Sequence, residues 1–196
     1  MIIGITGMPL SGKASVRRIF EDMGCQTFVM SSAVRAEMEK HGIEVNKESM
    51  REFATKIRQE KGRGVAGELS LPYLRDVLGH EDMVIIDGIR SPEEPEIFKR
   101  EFGDDFMLIC VWAPFKLRAK RLGDPERLKT RSDEVITDEE LKGRDKKELS
   151  WGLGEVIAMA DYLIVNTSGK EDLEKELKRF LRMVVAKGMR RVSEWG

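Results

Sequence analysis

Five short apolar runs, separated by longer segments with helical periodicity, restrict the fold of this 196-residue sequence more than any other feature. The runs are IIGIT, QTFVM, MVIID, FMLICVWA and DYLIVN. Polar residues do not alternate through them, so we predict strands buried on both faces. Buried strands joined by helices form parallel sheets with right-handed crossovers. The pattern therefore predicts a three-layer α/β/α fold with a five-stranded parallel sheet, whose ligands bind at the carboxyl ends of the strands.

Helix boundaries are marked by three capping boxes, each a hydroxyl residue followed three positions later by glutamate: SPEE at Ser91, TDEE at Thr137 and SGKE at Ser168. The helix predicted from Ser168 has one apolar face suited to packing on a sheet. The residues of that face are Leu173, Leu177, Phe180, Leu181 and Val184.

The composition excludes several classes of protein. Lys and Arg total 34 against 35 for Asp and Glu, so no net charge attracts nucleic acid or an anionic membrane. The cysteines, Cys25 and Cys110, lack zinc-site spacing and predict neither a metal site nor a disulfide. The first residues lack the basic region of a signal peptide, and the longest apolar run is too short to span a bilayer. We expect a cytoplasmic protein whose phosphate binding, if any, is local.

The segment GMPLSGKAS directly follows the first predicted strand. Gly7 ends the strand, Gly12 and Lys13 begin a helix, and four residues separate the two glycines, which is the spacing of a P-loop. Such a loop turns backbone N–H groups around an anion at the positive end of a helix. The residues predicted to bind a nucleotide are Gly7, Met8, Pro9, Leu10, Ser11, Gly12, Lys13, Ala14 and Ser15. The alternative is a glycine-rich turn that only joins strand to helix.

The same segment resembles the GxPGxGKGT form of the P-loop found in nucleoside monophosphate kinases. Leu10 replaces a glycine of that form, and Ser15 supplies the hydroxyl one position after Ala14. The resemblance implies that ATP and Mg²⁺ are cofactors, that Lys13 reaches the β- and γ-phosphates, and that Ser15 holds the metal.

The stretch VIIDGIR is similar to the DGFPR stretch of adenylate kinases. Asp87 ends a predicted strand at the carboxyl edge of the sheet, where it is expected to organise Mg²⁺ through water. Arg90 is expected to bind a phosphate. The alternative is that Asp87 is a simple turn residue.

The stretch VMSSAVRAEMEKHG resembles the STGDxLR segment with which adenylate kinases hold the phosphate of the acceptor. The resemblance assigns Ser31, Ser32 and Arg35 to an acceptor site, although Ala33 stands where the family has an acidic residue. Arg63 is a weaker phosphate candidate. Arg35 as an ordinary surface arginine remains the alternative.

An arginine-rich segment resembles the lid and return helix of dephospho-CoA kinases and adenylate kinases. Its arginines are Arg121, Arg127, Arg131 and Arg144, of which we assign Arg121, Arg131 and Arg144 to catalysis with Lys13 and Asp87. Positive charge around the migrating group is what phosphoryl transfer needs from a protein. The alternative is a pair of solvated charged helices.

The end of the chain, ADYLIVNTSGKEDLEKEL, is similar to the last strand and helix of dephospho-CoA kinases. Asn166, Thr167 and Ser168 therefore lie near the donor base in that family's arrangement, although Ser168 is equally explained as a helix cap. The resemblance covers nearly the whole chain and includes an archaeal group of adenylate-kinase-related proteins.

These observations predict one P-loop kinase-like domain over 1–196, with an acceptor-binding insert at about 32–78 and a lid at about 122–144. The predicted function is transfer of the γ-phosphoryl group of Mg-ATP to a small nucleotide-like acceptor, foremost a nucleoside monophosphate. Transfer to an alcohol, as in dephospho-CoA kinases, and a nucleotide-binding switch or slow ATPase are the alternatives. We predict no membrane or nucleic-acid partner, and a monomer or homodimer.

Overall fold

The computed structural model describes residues 1–123 and 137–186. Five parallel strands form its sheet in the order β2-β3-β1-β4-β5. They are β1 (Ile2–Thr6), β2 (Gln26–Val29), β3 (Val84–Asp87), β4 (Phe106–Trp112) and β5 (Tyr162–Val165). The five predicted strands and the parallel sheet are confirmed.

Helices connect the strands. They are α1 (Lys13–Asp22), α2 (Met30–Lys40), α3 (Lys47–Lys61), α4 (Val65–Leu78), α5 (Glu93–Phe102), α6 (Phe115–Lys120), α7 (Asp138–Ser150), α8 (Leu153–Ala158) and α9 (Lys170–Ala186). Between β2 and β3 the chain forms α2, α3 and α4, so the 32–78 block is helical as predicted. Its role as an acceptor-binding insert stays a prediction. In the described ranges, no helix is both long and apolar enough to cross a bilayer.

Two apolar layers cover the two faces of the sheet. On one face α1 and α9 pack against β1, β3, β4 and β5 around the fully buried Phe20 and Phe180. On the other face α2, α4, α5 and α8 pack around the fully buried Leu74 and Phe98. The predicted apolar face of α9 lies in the first layer and is confirmed. Burial on both faces explains why β1, β3 and β4 are continuously apolar. The prediction is wrong for the edge strands β2 and β5, which are only partly buried, with Leu163 50% exposed.

The capping boxes differ in outcome. Thr137 caps α7 with the reciprocal bonds to Glu140 that the sequence predicts. The prediction at Ser91 is wrong: α5 begins at Glu93, and the Ser91 hydroxyl instead donates to the Arg63 carbonyl, 3.0 Å away. A tertiary bond to the loop between α3 and α4 has replaced the local cap. The last helix begins at Lys170, two positions after Ser168.

Candidate functional site: a phosphate loop beside a charged cluster

The loop between β1 and α1 has the backbone of an anion-binding turn. Gly7, Leu10 and Gly12 have φ angles of 140°, 62° and 108°, all in the region that favours glycine. Both glycines are also required by close approach, because a Cβ at Gly7 would collide with the Val111 carbonyl and one at Gly12 with the Asn166 amide. Leu10 is the residue that the sequence comparison marks as a departure, and it adopts the conformation natural to the glycine it replaces.

Lys13 begins α1 with its ammonium group folded back over the loop. Its Nζ donates to the carbonyls of Gly7, 2.6 Å away, and Met8, 3.1 Å away. Burial lowers the pKa of Lys13 to about 8; the nearby carboxylate of Asp87 opposes this shift and the Arg90 guanidinium adds to it.

The backbone N–H groups of Gly12, Lys13 and Ala14 make no hydrogen bond to another described residue. These are the groups that a phosphate at a helix N-terminus accepts from. The loop therefore fits a polyphosphate: it offers backbone donors, one ammonium group and glycines where side chains would block access.

The outer side of the loop is held by hydrogen bonds to its carbonyls. The Arg121 guanidinium donates to the carbonyls of Leu10 (3.0 Å), Ser11 (2.9 Å) and Asn166 (2.8 Å). The Asn166 side-chain amide also donates to the Ser11 carbonyl, at 2.8 Å. Because the carbonyls are bound from outside, the N–H groups are directed to the inside of the loop. The sequence assigned Arg121 to catalysis and Asn166 to the donor base; the contacts seen here hold the loop, and both roles stay predictions.

A second arginine that sequence reasoning missed supports the same loop. Arg118 of α6 is buried and makes a bidentate pair with Asp145 of α7, at 2.9 and 2.7 Å. The same guanidinium donates to the Pro9 carbonyl at 2.9 Å. It thus connects α6, α7 and the loop through one planar group.

Asp87 and Ser15, the predicted metal-binding residues, lie on neighbouring elements. Asp87 ends β3 in register with Ile5 of β1, and its carboxylate lies 3.6 Å from Nη1 of Arg17 on α1. Ser15 is exposed on the first turn of α1. The described residues contain no group of three or more His, Cys, Asp or Glu side chains that could hold a metal. A serine hydroxyl and an aspartate carboxylate offer oxygen ligands, the kind that Mg²⁺ prefers. Their role as metal ligands stays a prediction.

Arg90, predicted to bind phosphate, lies in a charged cluster. Its Nη1 donates to Oε1 of Glu148 on α7 at 2.8 Å. Its backbone N–H donates to Oε2 of Glu94 at 2.6 Å. The Arg90 guanidinium also faces the indole of Trp151, 6.0 Å from the ring centroid. The sequence identified Arg90 but not the two glutamates that position its side chain and its backbone.

Arg58 of α3 is the other member of this cluster that the sequence missed. Its Cζ lies 4.9 Å from the Trp151 ring centroid, and its Nη2 lies 3.8 Å from Oε1 of Glu94. Burial raises the pKa of Glu94 against the opposing effect of its bonds to backbone N–H groups and of Arg58. Burial lowers the pKa of Arg58, with Glu94 opposing. No motif identifies Arg58, because its partners come from helices far away along the chain.

The other predicted acceptor residues lie on the surface. Ser31, Ser32 and Arg35 are exposed on α2, whereas Ala33 is 2% exposed and faces the core. An acidic side chain at position 33 would be buried in this fold, which is costly without a partner. Arg63 forms an ion pair with Glu93, at 2.7 Å.

The four arginines of the predicted lid and return-helix segment are Arg121, Arg127, Arg131 and Arg144, and the structure describes Arg121 and Arg144. Arg144 is half-buried on α7, next to Asp145. Arg127 and Arg131 lie outside the described residues, and their roles stay predictions. Thr167 and Ser168 are exposed after β5.

The fold and the loop define a P-loop protein with the kinase-like architecture. A family model described as an AAA domain matches residues 6–142. The chain is 37% identical over 186 residues to a UPF0200 protein of Pyrococcus abyssi, with 94% of this chain and 97% of the relative covered. A UPF0200/UPF0201 protein of Archaeoglobus fulgidus is 36% identical, and there the match covers 92% of this chain but 54% of the relative. The chain belongs to the UPF0200 family.

Solved structures of low identity share the fold. The crystal structure of TT1252 from Thermus thermophilus has a TM-score of 0.62 at 21% identity, covering 94% of this chain and 97% of that one. Shikimate kinase from Acinetobacter baumannii has a TM-score of 0.55 at 16% sequence identity, and the match covers 96% of this chain and 95% of that one. A gluconokinase from Sinorhizobium meliloti has a TM-score of 0.51 at 14% sequence identity, and the match covers 95% of this chain and 96% of that one. The predicted likeness to P-loop kinases is confirmed at the level of the fold.

Proposed function

We propose that this protein transfers the γ-phosphoryl group of ATP to a small nucleotide-like acceptor, foremost a nucleoside monophosphate. The observation that carries the proposal is the placement of the phosphate loop. Lys13 and the N–H groups at the start of α1, which have no partner among the described residues, lie at the carboxyl edge of β1. Asp87 ends the adjacent strand β3, and Arg90 follows it. A donor on one side and an acceptor on the other would thus meet at one edge of the sheet.

Each group has a role in this proposal. Lys13 leaves the Gly7 and Met8 carbonyls and binds the donor's β- and γ-phosphates together with the loop N–H groups. A magnesium ion, held by Ser15 and Asp87 when bound, supplies charge neutralisation on the phosphate oxygens. Arg90 and Arg35, with Ser31 and Ser32, orient the acceptor. Arg121 and Arg144 offset the negative charge of the transferring group.

The acceptor atom decides whether a base is needed. A phosphate oxygen is already anionic, so a nucleoside monophosphate needs none. A hydroxyl acceptor, the second candidate, would benefit from a carboxylate near Lys13. Asp87 and Glu148 both oppose the burial that lowers the pKa of Lys13, which makes these two carboxylates the candidates for that base. The shikimate kinase and the gluconokinase that share the fold are named for small-molecule acceptors.

The test is ADP formation from ATP and magnesium with a panel of nucleoside monophosphates, dephospho-CoA and other alcohols. The proposal expects a rate that depends on one phosphate-bearing acceptor. A rate that depends on an alcohol supports the second candidate. Slow ADP formation that ignores the acceptor indicates a switch or ATPase and contradicts the proposal.

Two variants control the assay. Lys13→Ala should abolish turnover because it removes the ammonium group from the loop. Lys175→Ala, at a lysine whose side chain is 74% exposed on α9, should leave turnover unchanged.

A further inference from the structure

The Trp151 ring is surrounded by positive charge. Within the described ranges, Arg58, Lys147 and Arg90 lie 4.9, 5.3 and 6.0 Å from its centroid. Arg58 comes from α3, Arg90 from the loop after β3 and Lys147 from α7. A cluster of cations assembled from three separate segments requires counter-charge, since like charges at close range repel.

Two carboxylates provide that counter-charge, Glu148 beside Arg90 and Glu94 beside Arg58. Glu148 bonds Arg90 through Oε1 at 2.8 Å, and its side chain is 15% exposed. Glu94 is less available, because its Oε2 already accepts the N–H groups of Arg90 and Ser91 and its Oε1 lies 3.8 Å from Arg58. Of the two carboxylates, Glu148 is therefore the one that only a side-chain ion pair holds at Arg90.

The hydrogen bonding of this cluster is incomplete. Oε2 of Glu148 and Nε of Arg58 are buried, and neither has a hydrogen-bond partner among the described residues. A buried polar atom without a partner is destabilising, because it has lost its hydrogen bonds to water. An ion pair present only for stability would be expected to satisfy these atoms. Unsatisfied polar atoms on both the acidic and the basic side fit a site that receives a polar ligand.

We propose that the Glu148 carboxylate occupies the place of the acceptor's anionic group, and that a phosphate dianion displaces it from Arg90 and binds between Arg90 and Arg58. This inference rests on the proposed function and narrows its acceptor to a phosphate monoester. A carboxylate ligand offers Arg90 the same charge as Glu148, while Glu148 has the advantage of being tethered at high effective concentration. A dianion offers two charges and three acceptor oxygens, so it displaces Glu148 where a monoanion does not.

The test measures binding of inorganic phosphate and of acetate, a monoanion, at pH 8 by tryptophan fluorescence. A W112F/W195F background leaves Trp151 as the reporter among the three tryptophans of the chain. The protein that retains Glu148 should bind phosphate and should not bind acetate measurably. Glu148→Gln should tighten phosphate binding about tenfold and make acetate binding measurable. The matched control is Glu139→Gln, which removes a glutamate on the same helix whose side chain is 80% exposed and should change neither affinity.

A second variant covers the case in which Glu148→Gln unfolds, which a melting curve reports. Arg58→Lys keeps the charge but loses the planar fork, and it should weaken phosphate binding at least tenfold. Phosphate affinity that is unchanged or weaker in folded Glu148→Gln overturns the inference, and so does wild-type phosphate affinity in Arg58→Lys.

Repeating the series in a Lys13→Ala background separates this site from the phosphate loop. The effect of Glu148→Gln should persist there. If it persists while the acceptor panel shows no turnover, the proposed function fails and the anion site stands.

Discussion

Leu10 combines an unfavourable backbone conformation with favourable packing of its side chain. Its φ of 62° is unfavourable for an L-residue by about 1–2 kcal/mol. Its side chain packs against a small apolar cluster that comprises Phe115, Ala119, Leu122 and Leu141. The sequence marked Leu10 as a departure from a glycine, but the compensating contacts come from residues more than 100 positions away, which local pattern cannot reveal.

Substitutions at Leu10 separate the energy of backbone strain from the energy of side-chain packing. Leu10→Ala loses the packing and keeps the strained backbone, so we expect a loss of about 2 kcal/mol in the free energy of unfolding. Leu10→Gly loses the same packing but relieves the strain, so it should be about 1 kcal/mol more stable than Leu10→Ala. Urea denaturation of both variants measures the difference. An alanine variant as stable as the glycine variant would show that the backbone is not strained.

The pKa of Lys13 predicts how nucleotide binding depends on pH. With a pKa of about 8 in the free protein, Lys13 is charged below pH 8 and loses its proton above it. Phosphate favours the charged form, so binding above pH 8 must take up a proton. The affinity for ADP should fall about twofold from pH 7 to 8 and a further fivefold or so between pH 8 and 9. Calorimetric titration at these pH values checks this, and Lys13→Ala should remove the dependence.

Site residues could be predicted from the sequence where they lie together in one short continuous motif. Lys13, Asp87 and Arg90 stand in short segments that immediately follow buried strands, and the parallel sheet brings those strand ends together. Arg58 and Glu148 have no such signal: Glu148 reaches Arg90 across 58 positions. A charged residue on a mostly polar helix gives the same pattern whether it faces solvent or a site.

At the level of elements, the Arg118–Asp145 ion pair between α6 and α7 is one of the contacts that hold the phosphate loop from outside. Arg118 and Asp145 are both buried, and removing one leaves the other charge without its partner. Arg118→Met or Asp145→Leu alone should therefore cost about 3–5 kcal/mol of unfolding free energy. The double variant should recover most of that stability, since neither charge remains buried.

Nucleotide binding should respond differently from stability in that double variant. The Pro9 carbonyl loses its Arg118 donor in both variants that replace Arg118, so ADP affinity should stay low in the double variant even though its stability returns. Chemical denaturation and calorimetric titration of the same four proteins give both quantities. Full recovery of ADP affinity in the double variant would contradict a role for Arg118 in shaping the loop.

Strands were easier to predict than helix starts. A strand buried on both faces leaves a continuous apolar run, and each of the five runs contains its strand. The start of α5 depended on a competition between local and tertiary hydrogen bonds. Glu94 does accept the Ser91 N–H, as the capping box predicts, but the Ser91 hydroxyl bonds the carbonyl of Arg63.

At the scale of the whole molecule, the phosphate loop exists only when distant elements are assembled. Its supports come from α6, α7 and the residue after β5, so an unfolded chain has no comparable site. A ligand that binds only the folded state stabilises it by mass action, by about 2.7 kcal/mol at one hundred times its dissociation constant. For a chain of this length, that corresponds to a rise in melting temperature of roughly 5–10 °C.

Thermal denaturation with and without Mg-ADP therefore tests the assembly directly. The wild-type protein and Lys175→Ala should show the rise in full, because Lys175 is an exposed residue of α9. Lys13→Ala should melt near the wild-type temperature without ligand. Its melting temperature should rise little with Mg-ADP, because the ammonium group is lost and only the loop N–H groups remain to bind the phosphates. An equal rise in Lys13→Ala would mean that the nucleotide binds elsewhere on the fold, and the donor side of the sheet edge would have to be reassigned.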